Sequence, residues 1–533
     1  MKISNKIKIS IIVLVSTVSL QSCFDDLNLT PNDPNVEQTF NQDAVFAKVY
    51  ASMSLTGQEG PAGKPDINPE VIDEGTSSFV RMIWNLNELP TDEAICCWLK
   101  DEGVPELNSC KWSSSTKLPK GIYARLTFGV TICNHFLDNT KGKTDDTTIR
   151  QRAEVRFIRA INYFYLMDFF ANPPFAETVS TENPLQIQRA DLFNYIENEL
   201  LAIEPDMFNP KQAPYYRADK VANWLLLSRL YLNAKVYTGT ERWNDAAIYA
   251  KKVIDDTNYT LCANYSHLFM GDNAGAIDGS VNTAPNEIIL PIATDGVQTQ
   301  AYGGSMFLIA STHTGDMGNF GSNAAWGGNR ARGDLARKFF PNGFIPAGTD
   351  LTNVSSAAGD DRALFFAQDR TFTVESNGET DFKKGLSVLK FTNLRLDGQT
   401  SNDPAFVDMD VPFMRKAEAY LTYAEALTRG ASTISGYSAL DAVKALRNRA
   451  HNTSVLSDVN LDVILNEWSR EFYFEGRRRM DLIRFDRFGG SSYNWEWKGG
   501  IKEGVQFSNI YNVYPIPDYD LISNPNLEQN KDY

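Results

Sequence analysis

Histidine is almost missing from this 533-residue sequence: there are four, His135, His267, His313 and His451, scattered without ligand spacing. No H-E-x-x-H motif joins them, so a histidine-ligated metal hydrolase is not indicated. Nucleophile and phosphate signatures are lacking too, with no G-x-S-x-G, no Walker loop and no dinucleotide fingerprint. Cysteine is sparse and irregular, six in all. Setting Cys23 aside leaves Cys96, Cys97, Cys110, Cys133 and Cys262, an odd number that cannot form a complete disulfide framework. A bridge from Cys96 or Cys97 to Cys110 and unpaired core thiols both stay open. Positive charge is short, 51 Lys and Arg against 66 Asp and Glu. An acidic field of that sign disfavours nucleic acid and anionic lipid head groups. After residue 20 no segment is apolar for long enough to span a bilayer. With 66 acidic residues, a carboxylate pair for glycoside hydrolysis is the one catalytic arrangement that composition leaves standing.

The N-terminus is different. Lys2, Lys6 and Lys8 precede an apolar stretch from Ile9 to Leu20, and no acidic residue occurs before Cys23. About a dozen helical residues reach roughly 18 Å, short of the ~30 Å hydrocarbon core, so residues 1–22 are expected to be a secretory signal. The segment Leu20-Gln21-Ser22-Cys23 resembles a lipoprotein processing site, with Gln21 where a small residue is usual. Lipidation at Cys23 would give stable membrane attachment through two or more acyl chains. Residues 23–40 follow as a tether, with Asp25, Asp26, Pro31 and Pro34 and little to bury.

Residues 41–533 are expected to form a single domain, mainly α. Helical periodicity is strong from Gln151 to Phe170, where Val155, Ile158, Ile161, Tyr165 and Phe169 share a face. Asn172-Pro173-Pro174 ends it, and Ile122–Leu137 would pair with it as a hairpin. Ala218–Asp256 reads as two helices with small residues at crossing points, a tetratricopeptide-like pair. Met414–Ala450 repeats that theme, and one more amphipathic helix is expected over Asp462–Arg484. Such pairs cannot bury their own apolar faces, so they should stack into a curved helical-repeat superhelix. Arg477-Arg478-Arg479 lies among Glu471, Glu475 and Asp481, a setting for structural ion pairs rather than a basic binding patch. Trp224, Trp243 and Trp468 fall on helices and are expected to pack.

Between about residues 257 and 411 the character changes. Eight glycines fall between Tyr302 and Asp334, and helical periodicity vanishes. This is expected to be a loop-rich excursion with short strands, one of them over Glu287–Ile292. Long loops within a compact protein are usually functional. Aromatic content is high, 9 Trp, 22 Tyr and 31 Phe, enough that some rings should lie at the surface as stacking platforms.

Three segments carry a family resemblance: RQRAEVRFIRAINYFYLMDFFANPPF, REFYFEGRRRMDLIRF and YPIPDYDLISNPNLEQNKDY. They are similar to the signatures of the SusD/RagB family, outer-surface lipoproteins of Bacteroidetes. That family hands glycans to a SusC-type, TonB-dependent outer-membrane transporter. DEGTSSFVRMIWNLNELPTDE, RADKVANWLLLSRLYLNAKVYTGT, NEIILPIATDGV and AAGDDRALFF resemble its starch-binding branch. The resemblance implies a non-enzymatic protein at the extracellular side of the outer membrane, anchored through Cys23. Its ligand would be starch, a maltooligosaccharide or a related α-glucan. The site it implies comprises the rings Trp98, Tyr302 and Trp326, with Asp73, Arg81 and Asp101 as hydrogen-bonding partners. Asp101 stands where starch-binding members carry asparagine, keeping the acceptors and losing the amide donor. Stacking faces for C–H groups and planar polar groups for hydroxyls suit a sugar, with roughly micromolar to millimolar affinity. A structural calcium is implied near Asp408 and Asp410, with Asp278 contributing; solvated loop carboxylates are the alternative there. The rival functions are binding of a β-glucan, a glycoside hydrolase without a recognised motif, and a subunit that only closes the transporter.

Overall fold

The periodic stretches are helical, and local chemistry sets their ends. A computed structural model describes residues 40–68, 70–277, 280–375 and 381–533. The signal segment, Cys23, most of the tether and Asp278 lie outside the described residues. The longer helices from Phe79 onward are α1 (Phe79–Glu88), α2 (Lys117–Asn139), α3 (Asp146–Phe170), α4 (Arg189–Ile203) and α5 (Lys220–Leu232). They continue as α6 (Trp243–Asp255), α7 (Ala417–Thr428), α8 (Ala439–Arg449), α9 (Leu461–Phe472) and α10 (Arg478–Arg484). Asp145 caps α3 by accepting from Thr148 N–H, and Asp219 caps α5 by accepting from Val221 and Ala222. Such caps satisfy N–H groups that have no partner inside the helix.

Successive helices pack on one another: α2 on α3, α3 on α4, α4 on α5, α5 on α6, α6 on α7 and α7 on α8. This is the stacked-pair, mainly α architecture that the amphipathic patterns call for. The chain from Phe46 to Tyr533 forms one unit. In α3 burial goes beyond the single face read from periodicity, since Phe157, Phe164 and Leu166 are also fully buried. The C-terminal segment covers the last turn of α3, with Tyr514 N–H and Asn530 Nδ2 donating to the carbonyls of Phe169 and Phe170.

One expectation is corrected. Asp462–Arg484 is two helices, not one, because the helix is interrupted between Phe472 and Arg478. Phe474 and Gly476 adopt φ of 63° and 73° there. The N–H groups of Gly476 and Arg477 leave the helix ladder and donate to the buried Glu88 carboxylate at 2.7 and 3.1 Å. The arginine run that follows is structural. Arg477 pairs with Asp481 and Glu418, Arg478 with Asp92 and Glu93, and Arg479 with Asp168, all buried.

The loop-rich excursion is closed at its base by a ladder. Strand β2 (Ile288–Ile292) pairs antiparallel with β4 (Val411–Arg415), Ile292 opposite Val411 and Ile288 opposite Arg415. Inside the excursion β3 (Asn329–Ala331) reaches back to β1 (Ala94–Cys96) in the N-terminal loops. The same ladder base carries buried charge. Arg415 pairs with Glu287 at 3.1 Å, Glu471 at 2.6 Å and Glu475 at 2.8 Å, and Arg449 pairs with Glu287 and Glu471.

Candidate functional site

The ladder between β1 and β3 creates the site. Cys96 lies opposite Asn329, and the pairing runs one step further as Cys97 N–H donates to Gly328 O at 3.0 Å. Trp98 on one side and Trp326 on the other therefore meet just beyond the strand ends. Their ring centroids are 6.4 Å apart with planes at 59°. Trp98 lies in a seat that only glycine leaves free: a Cβ on Gly328 would fall 2.2 Å from Trp98 Cε2.

Tyr302 arrives on a separate loop that is tied to the start of α1. Gly303 O accepts from Arg81 N–H at 3.1 Å and from the Ser78 hydroxyl, and Ser78 caps α1. The Tyr302 ring lies 6.5 Å from Trp326, with planes at 51°. All three rings are part-exposed. A fourth part-exposed ring, Phe406, is 5.4 Å from Tyr302 at 51°. Each plane is turned by half a right angle or more from the last, so the platforms do not form a flat strip.

Polar groups flank the Trp98 end. Arg81 leaves α1 with its guanidinium 5.7 Å from the Trp98 ring and 5.0 Å from Phe307, a cation–π arrangement. Its Nη1 donates to Gly75 O at 3.1 Å, and Nη2 is 3.8 Å from Asp101 Oδ2. Burial lowers the Arg81 pKa, and the Asp101 and Asp73 carboxylates oppose that shift. Asp101 is 51% exposed, so its oxygens face solvent. Asp73 caps the turn Glu74–Thr76, accepting from Thr76 N–H at 3.0 Å. Asp73 and Tyr302 both lie 3.7 Å from the position a Cβ on Gly75 would take. The structure thus brings Asp73, Arg81, Trp98, Asp101, Tyr302 and Trp326 around one surface. Sequence reasoning missed Phe406 and the seat at Gly328. The signal for the second was Gly327-Gly328 directly after Trp326, which marks a close approach of backbone and side chain.

The remaining candidates lie elsewhere. Asp408 accepts from Asn402 Nδ2 and Asp403 N–H at 3.0 Å each, and Asp410 accepts from Thr294 N–H at 2.8 Å. Burial pushes Asp410 up to about 7. Both aspartates thus fix the loop, and among the described residues no three His, Cys, Asp or Glu side chains converge on a metal position. Trp468 is buried and donates to Glu425, while Trp224 and Trp243 lie part-buried under Lys252 and Arg429. Cys96, Cys97, Cys110, Cys133 and Cys262 are all free and buried, so no bridge joins Cys96 or Cys97 to Cys110. Burial raises the thiols of Cys110 and Cys133 to about 12, which keeps them unreactive.

A helical-repeat scaffold with an aromatic surface on inserted loops is the architecture of a binding protein, and sequence comparison specifies which. The chain is 42% identical over 550 residues to starch-binding protein SusD of Bacteroides thetaiotaomicron, covering 98% of each. Residues 365–533 match the profile of the SusD family. The chain belongs to the SusD family. A SusD-like protein of Bacteroides ovatus is 23% identical over 400 residues, 71% of this chain and 68% of that one. Among solved structures, a SusD-like carbohydrate binding protein of Bacteroides fragilis superposes with TM-score 0.69 at 20% identity, covering 91% and 98%. Surface glycan-binding protein A of B. thetaiotaomicron, solved with laminarihexaose, gives 0.66 at 17%, covering 92% and 98%. These two share the fold.

Proposed function

We propose that this protein captures starch or maltooligosaccharides at the outer face of the outer membrane and passes them to a SusC-type, TonB-dependent transporter. The run of tilted rings Trp98–Trp326–Tyr302 is the observation that carries this reading, because a change of plane from ring to ring suits the coil of an α-1,4-glucan. C–H faces of successive glucose rings would lie on the three platforms, with hydroxyls turned to Arg81, Asp101 and Asp73. The 42% identical starch-binding protein supports the same ligand class. Binding occurs without hydrolysis. Glycosidases set two carboxyl groups to work on one bond, whereas Asp101 and Asp73 both act on Arg81.

Lipidated Cys23 would hold the body at the membrane, and no helix among the described residues is long and apolar enough to cross one. The β-glucan alternative has one observation behind it, the likeness to a protein solved with laminarihexaose, which at 17% identity carries the fold alone. Affinity electrophoresis in amylopectin gels tests the proposal. Wild-type protein should be retarded, and Trp98→Ala or Trp326→Ala should largely abolish retardation. Unchanged mobility of either variant removes that ring from the site. Calorimetry with maltoheptaose and laminarin decides between the glucans, and release of labelled products would overturn binding without catalysis.

A further inference from the structure

We infer that Phe406 is a fourth platform of the arc, beyond Tyr302, and that it sets the length of glucan this chain prefers. The inference rests on the α-glucan reading above. Its first support is geometric continuity. The step from Tyr302 to Phe406 is 5.4 Å at 51°, after steps of 6.4 Å at 59° and 6.5 Å at 51° along the other rings. A series of three platforms is extended by one more at similar spacing and tilt.

The second support is burial. Val407 and Met409 on the same segment are fully buried, at 0% exposure each, yet Phe406 beside them stays part-exposed. A phenylalanine ring gains by leaving water. Here it is held short of that gain on a segment that buries smaller side chains completely.

The third support is rigidity. Asp403 Oδ1 accepts from Ala405 and Phe406 N–H at 2.6 and 2.9 Å, which fixes the turn that presents the ring. Pro404 O accepts from Asn323 N–H and the Ser322 hydroxyl at 3.0 Å each. Those two residues lead into Trp326, so one set of ties positions Phe406 and Trp326 together. A platform fixed before the ligand arrives loses little entropy on binding.

A glucan too short to run the length of the arc is served by the Trp98–Trp326 end, whereas a longer one reaches Phe406. Calorimetry with maltotriose and maltoheptaose reads this difference. Phe406→Ala should weaken maltoheptaose about tenfold and shift maltotriose by less than about twofold, the loss of one stacked ring. Phe406→Leu fills most of the same space without a flat face and should behave like the alanine variant, while Phe406→Trp should retain long-chain binding. A role confined to buttressing Tyr302 is separated by a double-mutant cycle. In a Tyr302→Ala background, Phe406→Ala should weaken maltoheptaose further. No loss in either single variant, equal loss on both sugars, or no further loss in the Tyr302→Ala background overturns the fourth platform alone. Wild-type protein that binds neither sugar overturns it together with the α-glucan reading.

Discussion

Gly328→Ala is the sharpest test of how the arc is built, since it adds one methyl group and removes nothing. A Cβ at this position would meet Trp98 Cε2 at 2.2 Å, Cζ2 at 2.5 Å and Nε1 at 2.6 Å. No heavy atoms that belong to neighbouring residues approach so closely, so something must move. Gly328 has no positive φ, so alanine fits its backbone and the strain falls on the contact. The part-exposed indole can swing outward, whereas the ladder beneath it is held by Gly328 N–H donating to Ser311 O at 2.7 Å and by the Cys97 bond. Swinging out gives up the edge contact with Phe307 and the Arg81 guanidinium. Those interactions amount to about 1–2 kcal/mol together, a melting-temperature loss of no more than about a few degrees in a protein this large. Affinity should suffer more, by one platform, about 1–3 kcal/mol or roughly 5- to 150-fold in Kd. Calorimetry with maltoheptaose, paired with thermal melts, gives both numbers. Because the effect runs through the indole, Trp98→Ala and the double variant Trp98→Ala/Gly328→Ala should bind alike. A folded Gly328→Ala protein with wild-type affinity refutes the reasoning, as does a further loss in the double variant.

Two predictions concern the scaffold. Arg415→Met removes a guanidinium that is fully buried among Glu287, Glu471 and Glu475. Leaving buried carboxylates short of a cation should lower stability by about 3–5 kcal/mol, read from the urea midpoint; an unmoved midpoint rejects this. Burial, reinforced by Glu93, holds Glu88 well above the usual carboxylate range. A raised folded pKa means its stabilising share is complete below about pH 4.3 and drains as pH rises through the folded value, by up to about 1.4 kcal/mol per pH unit. Glu88→Gln keeps an acceptor for the Gly476 and Arg477 N–H groups and carries no titrating proton. Its melting temperature should therefore decline less steeply with pH than that of the wild type, and parallel slopes would rule Glu88 out.

Helices were legible wherever burial follows a local rule. Asn172-Pro173-Pro174 stops α3 through backbone sterics, and the small residues of α5 and α6 permit the close packing observed. The arginine run at 477–479 was readable as structural from the carboxylates around it, but of those only Asp481 pairs with it; Asp92, Glu93 and Asp168, which hold Arg478 and Arg479, lie more than three hundred residues away. The break at Phe474–Gly476 was not readable, since the carboxylate that takes its N–H groups is Glu88, nearly four hundred residues away. Phe406 was hidden for the same kind of reason. Its ring neighbour Tyr302 is distant in sequence, and composition alone cannot tell a half-buried phenylalanine from a core one. Trp98 and Trp326 could be named, but their meeting depends on the β1–β3 pairing, which three-residue strands do not announce.

That pairing also explains why a loop-borne surface can recognise a ligand at all. Loops make poor binding platforms if they must be ordered each time a ligand arrives. Here both ends of the excursion are closed by β2 and β4, and the charges at that ladder's base reach into the scaffold. Glu287 immediately precedes β2 and Arg415 ends β4, while Glu471 and Arg449 come from α9 and α8. The clamp is thus shared between the excursion and the helical repeats. From this base the chain runs outward to Tyr302, Trp326 and Phe406, and β3 fastens it again to β1 beside Trp98. The buried ion pairs and the aromatic arc are in this sense one construction. The charges fix where the loops begin and end, and the rings owe their spacing to loops that have little freedom left to lose.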